Sequence, residues 1–124
     1  MPLDVEALLT KAYDAFNRRD FDALAANLHA DVDWPDQIGG GRLVGHAAMR
    51  AYWARNNEML EIDSSPVIFT ALADGRTCVD VNQVVRNKAG QVWSDQCVRH
   101  CYTLRDGLIS RMDVLDREEP GHAP

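Results

Sequence analysis

The sequence predicts an α+β domain, and three observations carry that prediction. Apolar residues recur at helical spacing over residues 5–28 and 46–60, while residues 67–114 read as short β-rich runs. The runs are joined by hairpin turn signals rather than by helix-length crossovers. Helices first and an antiparallel sheet afterwards put the helices on one face of that sheet.

The first helix follows from the stripe Val5, Leu8, Leu9, Ala12 and Phe16, with Asp4 as its N-cap and Tyr13 at its flank. It stops near Asn17-Arg18-Arg19-Asp20, where Asp20 can cap a second short helix through Leu24, Ala25 and Leu28. Gly45 introduces a third helix whose stripe reads Met49, Tyr52, Trp53, Asn56 and Leu60. Asn56 is the polar exception there, and a mid-stripe amide needs a partner, either a neighbouring side chain or a ligand. Past Ser64-Ser65-Pro66 four strands are expected, at 67–71, 78–86, 91–104 and 108–116. The connections Ala73-Asp74-Gly75, Asn87-Lys88-Ala89-Gly90 and Arg105-Asp106-Gly107 carry turn chemistry and imply an antiparallel meander. The tail 117–124 is expected to fray.

Length and composition bound the function. At 124 residues, with 46% apolar and 26% charged residues, the chain is one ordinary globular domain spanning 1–124. A formal net charge of −6 argues against a nucleic-acid partner, which needs clustered Lys and Arg. Met1-Pro2-Leu3-Asp4-Val5-Glu6 has neither a basic n-region nor an apolar h-region, and no apolar run approaches spanning length. A cytoplasmic location and no membrane partner are therefore expected. Cys78, Cys97 and Cys101 agree, being an odd set without metal spacing. On one strand Cys97 and Cys101 stand roughly 13 Å apart, too far for a disulfide, so buried free thiols are expected.

The segment DVDWPD, residues 31–36, surrounds a tryptophan with three aspartates just before Gly39-Gly40-Gly41. Two-residue alternation with Val32 inside makes Trp34 a wall and points Asp36 inward, leaving Asp31 and Asp33 in water. Alternatively Asp36 begins the turn into the glycine loop. Neither this segment nor the scattered His29, His46, His100 and His122 has the spacing of a metal site, and no metal is expected.

The runs YDAFNRRDFDALAANLHADVDW, LVGHAAMRAYW and VRHCYTLRDGLISRMDV resemble the nuclear transport factor 2-like superfamily, in its SnoaL-like and ketosteroid-isomerase-like branch. The resemblance covers residues 5–116. It implies a cone-shaped α+β barrel, N-terminal helices packed in a curved antiparallel sheet, with a pocket inside and a homodimer through the outer sheet face. It implies no cofactor and a small, largely apolar ligand, while leaving the chemistry open.

Aligned on AFNRRDFDAL, Asp36 falls where ketosteroid isomerases carry their general-base aspartate. Their tyrosine position falls on Ala12, with Tyr13 one residue away, and their acid position falls on Arg99, so steroid isomerisation itself is not expected. In the aligned register Trp93, Asp95, Cys97, Arg99, Cys101 and Thr103 face inward. Arg99 then needs an anion from Asp95, Asp36 or Asp116, a set that resembles the Asp-Arg-Asp water activation of limonene-epoxide-hydrolase-like members, or a plain bridge between strands. Shifted by one residue, His100 enters the pocket instead and can pair with Asp113. The expected catalytic candidates are thus Asp36, Arg99, Asp95 and His100, and the expected ligand contacts Tyr13, Trp34, Trp53, Asn56, Met112 and Asp116. The leading expectation is cofactor-independent isomerase, dehydratase or cyclase chemistry on a carbonyl or hydroxyl compound. The competing one is a non-catalytic ligand-binding or dimerisation module.

Overall fold

The computed structural model describes residues 4–36 and 39–115. Among them the chain forms three helices and six strands: α1 (Val5–Asn17), α2 (Phe21–Ala25), β1 (Leu28–Pro35), β2 (Arg42–Val44), α3 (His46–Met59), β3 (Leu60–Ala71), β4 (Thr77–Asn87), β5 (Val92–Arg105) and β6 (Leu108–Leu115). The expected tail 117–124 lies outside the described residues, as does Asp116.

Each helix begins where its cap chemistry sits. The Asp4 carboxylate accepts from Ala7 N–H at 3.0 Å, and that of Asp20 from Ala23 N–H at 3.1 Å, each satisfying a donor that the first helical turn leaves unpaired. Gly45 precedes α3 with φ of 89°, a conformation that disfavours any side chain, and its N–H donates to Val32 O at 2.8 Å. That bond fixes the start of α3 against β1.

The sheet order is β2-β1-β6-β5-β4-β3, which corrects the expected architecture. The sheet is open, with β2 and β3 as its two edges and no pairing between them, so it is neither a closed barrel nor a cone. It is also mixed rather than wholly antiparallel, because β1 pairs parallel with β6. Turn signals report only strands adjacent in sequence. The β1–β6 pairing joins the two halves of the chain over a long separation, and no local signal marks it.

A second correction concerns β3, which starts at Leu60 directly after α3 and runs through Ser64, Ser65 and Pro66. An edge strand tolerates a proline that cannot donate to the ladder, and the register shifts between Pro66 and Ile68. Leu60, Ile62 and Ser64 alternate toward the interior, a period of two that overlaps the end of a helical stripe.

The interior lies between the helices and one face of the sheet. Leu9, Ala12 and Tyr13 of α1 and Met49, Tyr52 and Trp53 of α3 share one buried cluster with Val32, Val79, Val81, Tyr102, Ile109 and Met112 from the strands. Asn17 holds α1 on the edge strand: its Nδ2 donates to Ser64 O and its Oδ1 accepts from Ser64 N–H, both at 2.8 Å. Arg19 adds a bond to Ile62 O at 2.7 Å. Backbone groups near the β3 edge that would otherwise be open to a foreign strand are thereby occupied.

On the opposite face, Cys78 of β4 faces Cys101 of β5 across the ladder, with Cα atoms 3.9 Å apart, and the two form a disulfide. This corrects the expectation of free thiols for this pair, which considered spacing along one strand and not the neighbouring one. Cys97 is free and exposed. Disulfides are uncommon in reducing compartments, so the cysteines no longer support a cytoplasmic location. No helix among the described residues is long and apolar enough to cross a membrane.

Candidate functional site

A cavity of about 220 Å³ lies between the helices and the inner sheet face. Tyr13, Trp34, Trp53, Asn56, Met112 and His100 are among the residues that line it. Its walls are mostly aromatic and aliphatic. No Asp, Glu, Lys or Arg is among the described lining residues.

The parity of β5 decides which chemistry reaches this space. His100 pairs with Val79 and Tyr102 with Met112, all on the interior side, so Arg99 and Asp95 project from the other face. There the Arg99 guanidinium donates to Asp80, with Nε to Oδ1 at 2.8 Å and Nη2 to Oδ2 at 3.5 Å, an ion pair between adjacent strands. Asp95 is exposed opposite Val84. Asp36 lies in the turn between β1 and β2, its carboxylate accepting from Gly39 N–H at 2.7 Å, and it is not among the lining residues. Asp113, the other expected partner of His100, sits on the outer face between Arg111 and Arg42. The Arg111 guanidinium holds its carboxyl below the usual range.

The aspartates of DVDWPD are thus engaged separately. Asp31 accepts from Arg105, Asp33 from Arg42 and Arg111, and Asp36 from the glycine turn. Among the described residues no three His, Cys, Asp or Glu side chains converge on a metal position.

The polar end of the cavity is a chain of three rings. Tyr102 O–H donates to Tyr13 Oη at 2.7 Å, and Tyr13 Oη lies 2.9 Å from His100 Nδ1. The Tyr13 and His100 rings are nearly parallel, while Tyr102 stands edge-on to both. Tyr102 is not among the residues expected at the site. Once His100 faces inward, two-residue alternation brings Tyr102 with it.

All three rings are buried, and burial sets their ionisation. It pushes the His100 imidazole down to about 4 and raises the Tyr102 hydroxyl, against a smaller lowering from its bond to Tyr13. It also raises Tyr13 well above the ordinary value, helped by the neighbouring Tyr102. Every member is therefore neutral at physiological pH.

The remaining ring nitrogen, His100 Nε2, is buried with no hydrogen-bond partner among the described residues. A buried polar atom left this way is costly, and a bound molecule can satisfy it. Two tautomers fit the chain. With Tyr13 donating to Nδ1, Nε2–H is a donor. With Nδ1–H donating to Tyr13, Nε2 is a free lone pair and the Tyr13 hydrogen is available to the cavity.

Helices packed on one face of an α+β sheet, with an aromatic-lined cavity between them, place the chain in the nuclear transport factor 2-like superfamily. The chain matches the SnoaL-like domain model over residues 9–112 and belongs to that family. Among solved structures it is similar to TerC crystallised with polyporic acid, at 26% identity over 90% of this chain and 89% of that one, with a TM-score of 0.77. It is also similar to a candidate polyketide cyclase of Xanthomonas campestris pv. campestris, at 26% identity over 88% and 87%, TM-score 0.75. A Mycobacterium tuberculosis protein in complex with estradiol-17β-hemisuccinate shares the fold, at 13% identity over 94% and 95%, TM-score 0.79. No curated protein is a significant sequence match.

Burial of neutral His100 makes stability depend on pH. The folded protein keeps this ring neutral down to about pH 4, whereas the unfolded chain takes up the proton near 6.5. The contribution is complete above the unfolded value and is lost as pH falls from there toward the folded one. Relative to His100→Gln, the wild-type protein should lose up to about 1.4 kcal/mol per pH unit across that window, the limit for one proton. Urea unfolding of both proteins as a function of pH checks this, and parallel curves would contradict a buried neutral imidazole.

Proposed function

We propose that this chain carries out cofactor-independent acid/base chemistry, of the isomerase, dehydratase or cyclase kind, on a small uncharged molecule bearing a carbonyl or hydroxyl. The unpartnered Nε2 of His100 is the observation that carries this reading. Similarity to TerC, crystallised with polyporic acid, and to a candidate polyketide cyclase supports a small organic ligand and a reaction of this type.

The burial that neutralises the three rings restricts how they can react. Neither an imidazolium nor a tyrosinate is well tolerated, so His100 acting alone is a weak base. A relay avoids both ions. His100 Nε2 takes a proton from a C–H beside the substrate carbonyl, Nδ1–H passes its proton to Tyr13 Oη, and the Tyr13 hydroxyl proton moves to the carbonyl oxygen. The product is the enol, every side chain ends neutral, and Tyr102 holds Tyr13 in place by donating to it throughout. Asp36 and Arg99, the base and electrophile suggested by family alignment, play no part in this reading, and water activation between Arg99 and a carboxylate belongs to the other face of the sheet.

The low basicity of His100 also favours a second reading, in which the pocket binds its ligand without turning it over. Proton exchange separates the two. Wild-type protein should speed deuterium incorporation next to the carbonyl of β-tetralone, a neutral bicyclic ketone, and His100→Gln and Tyr13→Phe should each lower that rate by about a hundredfold or more. Binding of the ketone with no exchange above buffer would leave the pocket as a binder alone.

Assembly as a homodimer through the outer sheet face belongs to the same proposal. One row crosses that face over four strands, Ile68, Asp80, Arg99 and Leu115 in register, so that an ion pair is flanked by two exposed apolar side chains. Such a row suits burial against a second copy. Sedimentation equilibrium should show a dimer that an Ile68→Glu/Leu115→Glu double variant converts to monomer. A wild-type monomer would remove this part of the proposal.

A further inference from the structure

The cavity has a second polar end that the relay does not use. Ser64 of β3 faces Gln83 of β4 in register, and Gln83 Nε2 donates to Ser64 Oγ over a long 3.4 Å. Ser64 is itself fixed, because Asn17 holds its backbone on both sides of the peptide unit. Asn56 of α3 also lines the cavity, and its carboxamide pairs with none of the described residues. This half-buried amide, in the middle of an apolar helical stripe, is therefore open to a hydrogen bond from a molecule in the cavity.

Strand register measures how far this group lies from the relay. His100 pairs with Val79 and Ser64 pairs with Gln83, four residues further along β4, so the two levels are separated by ~13 Å of strand. Between them stand Val81, fully buried, and its partner Val98. The two polar levels of the cavity wall are thus separated by an apolar pair, and apolar Ile62 and Val85 line the cavity beyond the second. Hydroxyl and amide groups at the far end can donate or accept, so they suit a carbonyl or a hydroxyl equally and carry no charge. No charged side chain is among the described lining residues, and against them an ionised ligand would stand unpaired, which is costly.

Resting on the pocket reading above, we infer that the occupant is an elongated, uncharged molecule with an oxygen function at each end, one held by Tyr13 and His100 and the other by Asn56, Ser64 and Gln83, its apolar body against the aromatic and aliphatic lining. The far group acts in binding and sets length and orientation. It touches none of the reacting atoms.

Three rigid probes test this: biphenyl, para-phenylphenol and para,para′-biphenol, which carry no, one and two terminal hydroxyls on the same frame. Calorimetric titration should show para,para′-biphenol binding roughly fivefold or more tighter than para-phenylphenol, the worth of one added hydrogen bond. The ratio of those two affinities should fall toward one in an Asn56→Leu/Gln83→Leu variant. Equal affinity of the two phenols for wild-type protein overturns the inference, as does a ratio that survives the double substitution. The pocket reading fails differently. In that case para-phenylphenol binds no tighter than biphenyl and is indifferent to Tyr13→Phe, and the two-ended ligand is overturned with it.

Discussion

The hydroxyl of Tyr13 is the point through which the rest of the site is organised. It lies between Tyr102 and His100, at 2.7 Å and 2.9 Å, and so ties α1 to β5 across the interior. Removing either contact would leave polar atoms stranded in an apolar cluster, where an unmade hydrogen bond costs far more than a made one contributes. The same bond therefore fixes the helix on the sheet and fixes the tautomer chemistry available to His100. The edge-strand clamp at Asn17 and the Gly45–Val32 bond set the two ends of the helical layer around it.

The sheet divides the charges from the chemistry. Asp33, Arg42, Arg111 and Asp113 interlock on the outer face near β1 and β6, and Asp80 and Arg99 pair further along. The inner face holds the neutral rings. Among the described residues the cavity walls carry no formally charged side chain.

Much of this was legible in the sequence, and the failures have physical causes. Asp4, Asp20 and Gly45 announced the three helix starts because capping is local chemistry, and the stripes of α1 and α3 announced Tyr13, Trp53 and Asn56 because helical period is a local property. Strand parity was harder. His100 and Arg99 are one residue apart, both faces of β5 mix polar and apolar side chains, and a slip of one residue exchanges inside for outside. Only pairing with Val79 and Met112, far away in the chain, selects His100 and Tyr102. The Cys78–Cys101 bond and the parallel β1–β6 pairing stayed hidden for the same reason, since each is a contact between distant segments. Asp36 was drawn inward by alternation and by family alignment, but the glycine turn that follows claims its carboxylate first.

The central claim is that His100 is a neutral ring inside a buried, hydrogen-bonded chain. Nitrogen-15 NMR of the histidine side chains reads this directly, because the two ring nitrogens report tautomer and protonation separately. The account predicts one neutral His100 signal pair that holds its shifts as pH falls through 6.5 and changes only toward about 4. An imidazole that titrates near 6.5 with both nitrogens protonated would contradict it, and would mean that water or a charged partner reaches the end of the pocket.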